Sequence, residues 1–170
     1  MTLFLYNKEI DDNIGRDEIV KLRGFEVVTA YQEQDIKLPT RKTIASAGYD
    51  IEASEDVVLT PHKVSIIPTG IKAYMQTNEY LGIHIRSGFS IKKSLSLINS
   101  QGVIDADYYN NADNEGHIMI AVFNHGDQTV DIEKGMRIAQ GVFYKYLTVD
   151  DDLVSENAIR QGGIGSTGEK

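Results

Sequence analysis

The chain contains no cysteine, so disulfides and thiolate-held metals are both excluded, as suits a reducing compartment. It has no basic run, and its formal net charge is -8, which argues against duplex nucleic acid as the main partner. A small anionic ligand stays compatible, because a site needs only local cations. No apolar stretch approaches the length of a membrane span. The opening MTLFLYNKEIDD is acidic and lacks the basic start and small-residue cleavage site of an export signal. A soluble, cytoplasmic protein with no membrane partner is therefore expected.

What is present reads as one folded unit. With 170 residues, 41% of them hydrophobic, the chain is long enough to bury a core and is not expected to be disordered throughout. Residues 1–22 look like an appendage; DDNIGRDEIVKL could form one short helix, although Gly15 and the polar density weaken it. From Arg23, short runs alternate with period two and are broken every few residues by Gly, Pro, Asn or Asp: GFEVVTAY, YDIEA, VVLT, KVSIIPT, GIKAYM, YLGIHI, LSLIN, HIMIAVFN, TVDIE and RIAQGVFYKY. One helical turn is expected between Gly88 and Lys93. No strand–helix–strand rhythm appears, which disfavours a parallel sheet. The pattern predicts an all-β fold, a distorted jelly roll or barrel, over residues 23–150.

Residues 151–170 turn acidic and end in RQGGIGSTGEK. Four glycines in seven residues cannot hold a strand or helix by propensity, so a flexible arm is expected, or a loop whose N–H groups wrap an anion. A triphosphatase P-loop does not fit, because no Ser or Thr follows Lys170 and no helix can follow.

The segment Ile98–Tyr109, INSQGVIDADYY, carries the most chemistry. Asp105 and Asp107 follow directly on Val103 and Ile104, and carboxylates beside β-branched residues are costly to desolvate unless hydrogen-bonded or employed. Two tyrosines next to them offer a flat surface for a ring-shaped ligand. A tight hairpin with solvent-facing acids would give the same letters without function.

Five segments taken together decide between these readings. AGYDIEA (47–53), RSGFS (86–90), NSQGVIDADYY (99–109), KGMRIAQ (134–140) and RQGGIGSTG (160–168) resemble, in order and content, the five motifs of the trimeric all-β dUTP diphosphatases. The resemblance covers the chain from about residue 23 to its end. It implies Mg²⁺-assisted hydrolysis of dUTP to dUMP and pyrophosphate, by water attack on the α-phosphorus, in a homotrimer with shared sites.

The resemblance also assigns roles. Asp105 matches the general base; Tyr108 matches the tyrosine packed against deoxyribose, where a 2′-hydroxyl would clash. Asn99 matches the position that reads the uracil edge, with Gly102, Val103 and Ile104 forming the hairpin around the base. Arg86, Ser87, Gly88 and Gln140 match phosphate contacts. From the C-terminal arm, Arg160 would reach the phosphates, while Ile164, Gly165, Ser166 and Thr167 would close over the nucleotide bound by neighbouring subunits. Mg²⁺ would be carried by phosphates and waters, with Asp50 reaching it at most through a bound water. His62, His84, His117 and His125 show no ligand spacing.

Three departures stand out. Ile164 replaces the usual aromatic that stacks on uracil, and the spacer after Arg160 is one residue short. Met136 replaces an acid that normally supports the phosphate-binding arginine, leaving the bracing of Arg86 open. The stretch 109–117 is longer than the usual turn; its composition suggests a surface loop, either neutral or a docking surface for a protein. Two rivals follow: a dCTP deaminase of the same fold, which would need a catalytic glutamate, and a regulatory dUTP-binding protein acting through a partner.

Overall fold

The structure, a computed structural model, describes residues 21–152. The appendage within residues 1–20 and the arm residues Arg160, Ile164, Gly165, Ser166 and Thr167 lie outside them.

Twelve strands and one helix follow in order: β1 (Gly24–Val27), β2 (Thr40–Arg41), β3 (Tyr49–Glu52), β4 (Val57–Leu59), β5 (Val64–Pro68), β6 (Ile71–Tyr74), β7 (Glu79–Ile85), α1 (Ser87–Lys93), β8 (Leu95–Leu97), β9 (Gly102–Asp105), β10 (Met119–Asn124), β11 (Val130–Ile132) and β12 (Arg137–Lys145). They assemble into a five-stranded sheet β2-β3-β12-β7-β9, a three-stranded sheet β5-β10-β8, and the pairs β1-β6 and β11-β4. Every pairing is antiparallel, as the missing strand–helix rhythm predicts. Among the described residues no sheet closes into a barrel; the arrangement is jelly-roll-like.

The period-two pattern becomes the core directly. In β10, Ile120, Val122 and Asn124 are buried while Met119, Ala121 and Phe123 are half-buried. Ile51, Leu59, Ile67, Leu81, Leu95, Ile118, Ile132 and Ile138 join them from the other strands. Each such side chain contributes about 1.5–3 kcal/mol on burial, so packing outweighs any single polar contact. Asn124, wholly buried, is satisfied: its amide donates to the carbonyls of Leu59 (3.0 Å) and Gln128 (2.9 Å) and accepts from Gly126 N–H at 2.9 Å.

The predicted helical turn is α1, stopped by Ser94 in the left-handed conformation (φ 54°), with Lys92 and Lys93 in its last turn where the dipole favours cations. GFEVVTAY keeps only its first four residues as strand. Thr29–Tyr31 instead form a 3-10 turn, with Tyr31 N–H donating to Val28 O at 2.8 Å. Arg23 clamps Glu79 with two bonds, Nε to Oε2 at 2.9 Å and Nη2 to Oε1 at 2.6 Å, tying the start of β1 to the start of β7.

The 109–117 stretch reaches the surface at Asn110, Ala112 and Asp113, as expected of a surface loop, but is tied down from within. Asn111 (7% exposed) and Gly116 are buried, and the loop turns back on itself through left-handed residues Asn110 (φ 56°), Glu115 (φ 62°) and Gly116 (φ 82°). Several of its polar residues pair with one another, with Lys72 of β6 and with Thr29. The Glu115 carboxylate meets Lys72 Nζ at 2.5 Å and accepts from Thr29 N–H (3.0 Å) and Oγ1 (2.9 Å).

Candidate active site

Motifs one, two and four converge on one cavity of about 470 Å³, lined by Lys42, Gly48, Asp50, Arg86, Ser87, Gly88 and Gln140 among others. Strand pairing does this. On β12, Gln140 stands opposite Asp50 of β3 and His84 of β7, so residues from distant stretches share one sheet face. At Gly48 a Cβ would come within 2.6 Å of Gln140 Oε1, so glycine leaves that amide its place on the cavity wall. At Gly88 a Cβ would meet nothing within 4 Å, so the chain's own packing does not demand glycine on that wall.

Asp50 organises the charge. Its Oδ1 lies 3.2 Å from Arg86 Nε and its Oδ2 2.9 Å from Arg137 Nη1, while Arg86 Nη1 donates to Arg137 O at 3.2 Å. Two guanidinium groups on one carboxylate leave a net positive charge that is held in place. This settles the bracing of Arg86: Asp50 supplies it, and Met136 packs against the hydrophobic core. Ser87 and Gly88 open α1, and the first N–H groups of a helix have no partner within it.

Motif three lies on the opposite flank of the same sheet. In β9, Gly102 pairs with Ile83, Val103 with Gly82, Ile104 with Leu81 and Asp105 with Tyr80. Val103 is 53% exposed, whereas Ile104 packs on the core. Gly102 has a local reason to be glycine, since a Cβ would sit 3.1 Å from Ile83 Cβ. Asn99 is exposed, at a tight turn where Gln101 N–H donates to Asn99 O at 2.6 Å and Ser100 has φ 62°. Asp105 ends the strand and leads into a 3-10 turn, Ala106–Tyr108. Tyr108 is 5% exposed; its hydroxyl donates to His117 O at 3.0 Å and accepts from Asn114 Nδ2 at 2.8 Å. Tyr109 faces away, its hydroxyl donating to Glu26 Oε2 at 2.6 Å; burial first, then that carboxylate, pushes its pKa up to about 12.

These two groups do not meet within one chain. Asp105 is level with Tyr80, and Gln140 is level with His84, four residues further along β7. Asp105 and Gln140 are thus about 13 Å apart along the strands and about 10 Å across them.

Several residues of the site carry no signal in the sequence. Lys42 lines this cavity and a neighbouring one of about 550 Å³ that also contains Lys37, Thr40 and Arg137. Arg41 holds the turn beneath Lys42, donating to the carbonyls of Ile44 and Ser46 at 3.1 Å. His84 Nε2 lies 3.1 Å from Gln101 Nε2 and 3.2 Å from Tyr144 Oη, linking the hairpin to β12. Arg137 stood inside the fourth motif, but only its contact with Asp50 reveals its use. Among the described residues, no group of three His, Cys, Asp or Glu side chains could hold a metal, and no helix is long and apolar enough to cross a membrane.

A braced cationic cavity and a carboxylate-tipped hairpin on one sheet of an antiparallel, jelly-roll-like fold mark a protein that binds an anionic ligand such as a phosphate. The dUTPase family model matches residues 34–168. The deoxyuridine 5'-triphosphate nucleotidohydrolase of Lactococcus lactis is 54% identical over 149 residues, 88% of this chain and 99% of that one. The dUTPase of Streptococcus mutans superposes with a TM-score of 0.71 at 48% identity, covering 75% of this chain and 98% of that one. A dUTPase from phage phi11 of S. aureus, 22% identical with a TM-score of 0.65 over 80% of this chain and 98% of that one, shares the fold; its structure is described as showing coordination of a structural Mg(II) ion. The chain belongs to the dUTPase family.

Proposed function

We propose that this chain hydrolyses dUTP to dUMP and pyrophosphate. The observation that carries the reading is the cavity lined by Arg86, Ser87, Gly88 and Gln140, where Asp50 holds Arg86 and also Arg137 of the neighbouring cavity. Phosphoryl chemistry is mostly positioning and charge stabilisation, and a fixed cationic wall supplies both.

In this reading Arg86, the Ser87 hydroxyl, the N–H groups at the start of α1 and the Gln140 amide bind the phosphates. Asp105 takes a proton from a water whose oxygen attacks the α-phosphorus; the bond to the bridging oxygen breaks, and pyrophosphate leaves with that electron pair. Tyr108 forms the wall beneath the sugar, and Asn99 with the Gly102–Ile104 backbone reads the base. Arg160, Ile164, Gly165, Ser166 and Thr167 would close over the nucleotide.

The separation of Asp105 from the phosphate cavity, by four positions along β7 and two strand spacings across the sheet, supports a site shared between copies of the chain, as in a homotrimer. Mg²⁺ suits such a site, because it keeps several waters and binds through substrate phosphates, so a site without a carboxylate cluster can accommodate it. Asp50, occupied by two guanidinium groups, would touch it only through water. The bound ion would neutralise phosphate charge.

A substrate panel with Mg²⁺, comprising dUTP, dTTP, dCTP and UTP, tests the reading with pyrophosphate as the readout. Strong preference for dUTP is expected, together with loss of turnover in Asp105→Asn. Ammonia release from dCTP, or full activity of Asp105→Asn, would refute it.

A further inference from the structure

We infer that Asn114, in the loop after the third motif, is a positioning residue for Tyr108 and thereby sets discrimination against a ribose 2′-hydroxyl. The inference rests on the reading above, in which Tyr108 forms the floor of the sugar site.

The hydrogen bonds fix the orientation of the Asn114 amide. Its Oδ1 accepts from Asn111 Nδ2 at 2.8 Å and from Gly116 N–H at 3.1 Å, so its Nδ2 is the end that faces Tyr108, donating to the phenol oxygen at 2.8 Å. That phenol in turn commits its hydrogen to His117 O at 3.0 Å. Asn111, almost fully buried, supports Asn114 from below. Its Oδ1 accepts from the N–H groups of Asp113 (3.0 Å) and Asn114 (3.1 Å), and its Nδ2 donates to Tyr108 O at 2.8 Å. The loop therefore holds Tyr108 at both its backbone and its hydroxyl.

The loop is itself anchored to the body of the fold. Lys72 on β6 reaches Asn110 Oδ1 at 2.7 Å and Glu115 Oε1 at 2.5 Å, and lies 5.1 Å from the centre of the Tyr109 ring. A phenol whose hydrogen is already donated has none to offer a sugar hydroxyl. Discrimination by Tyr108 must then come from shape, as a ring that cannot retreat. Such rejection is only as strong as the ring is immobile, and Asn114 supplies one of the two bonds that fix its hydroxyl. The extra length of 109–117 thus acts inward, on the residue that precedes it.

The test compares kcat/KM for dUTP and UTP in full-length variants. Asn114→Asp keeps an oxygen for Asn111 Nδ2 and Gly116 N–H but removes the donor to the phenol, whose single hydrogen must then serve either the new carboxylate or His117 O, so Tyr108 loses one of its two hydroxyl bonds while the loop keeps its own. It should lower the dUTP:UTP ratio by about fivefold, chiefly by raising turnover of UTP, while the melting temperature changes little. In a Tyr108→Phe background the same change should alter the ratio by less than about twofold, since the two act through one bond. An unchanged ratio in Asn114→Asp, or full additivity with Tyr108→Phe, overturns the role of Asn114. Tyr108→Leu separates the two ideas. If it collapses the ratio while Asn114→Asp leaves it intact, only the positioning role fails. If Tyr108→Leu also leaves the ratio intact, the sugar-floor reading falls and takes the inference with it.

Discussion

The Asp50 carboxylate faces Arg86 at 3.2 Å and shares itself with Arg137 at 2.9 Å, so one acid on β3 fixes two cations at the cavity. Asp50→Asn would leave both arginines charged but unbraced. Its kcat/KM for dUTP should fall roughly tenfold to a hundredfold, the scale of a lost charge-assisted hydrogen bond. Steady-state kinetics decide this; parent-like kcat/KM would show that Arg86 needs no brace.

Gly48→Ala places a methyl 2.6 Å from Gln140 Oε1. The amide end of Gln140 can swing aside, so the fold should survive with a loss of less than about 1 kcal/mol, while KM for dUTP rises. Urea denaturation and kinetics measured on the same preparation separate the two effects. A large loss of stability with unchanged KM would contradict the proposed phosphate role of Gln140.

Lys42→Ala removes an exposed cation from the wall shared by two cavities. KM should rise about twofold to fivefold, as for other solvent-accessible charge contacts, and the difference should shrink as salt is added. The melting temperature should not move. A KM insensitive both to the substitution and to salt would remove Lys42 from the site.

His117 is held neutral. Burial lowers its pKa from the ordinary 6.5, and its Nε2 accepts from the buried Gly70 N–H at 3.0 Å. The unfolded chain therefore binds more protons than the folded one below that value. The resulting stabilisation is whole above about pH 6.5 and is lost as the pH falls through the lowered folded pKa. Glu79, lowered chiefly by its bonds from Arg23, and Glu115, lowered chiefly by Lys72, add a second loss below their ordinary 4.5. Melting temperature against pH should decline in two stages. His117→Gln, which keeps an acceptor but does not titrate, should abolish the upper stage; if that stage persists, another group causes it.

The strands and the core were legible in the residues themselves, because a buried sheet face imposes a period of two that short apolar runs display openly. VVLT, KVSIIPT and RIAQGVFYKY each became a strand, and Ile51, Leu81 and Ile138 took the inward positions their alternation assigns. GFEVVTAY misled in its second half, since Thr29–Tyr31 bend into a turn held by backbone bonds that composition does not encode. The stretch 109–117 showed its exposed residues but not its inward bonds, because Asn, Asp, Glu and Gly suit solvent and equally suit a loop that pairs its polar groups internally.

What the sequence determined by itself was local: the repeating apolar alternation, the five ordered motifs, and an aspartate set against β-branched neighbours. Pairings between distant residues were left to the tertiary structure. Asp50 meets Arg86 and Arg137, and Asn114 holds Tyr108, only because strand register and loop closure bring them within hydrogen-bonding reach, and the same register sets Lys42 and Gln140 on one cavity wall. The physical reason is range. Strand periodicity acts over two residues and marks the chain wherever it applies, whereas a hydrogen bond across a folded sheet leaves no trace in the spacing of its partners.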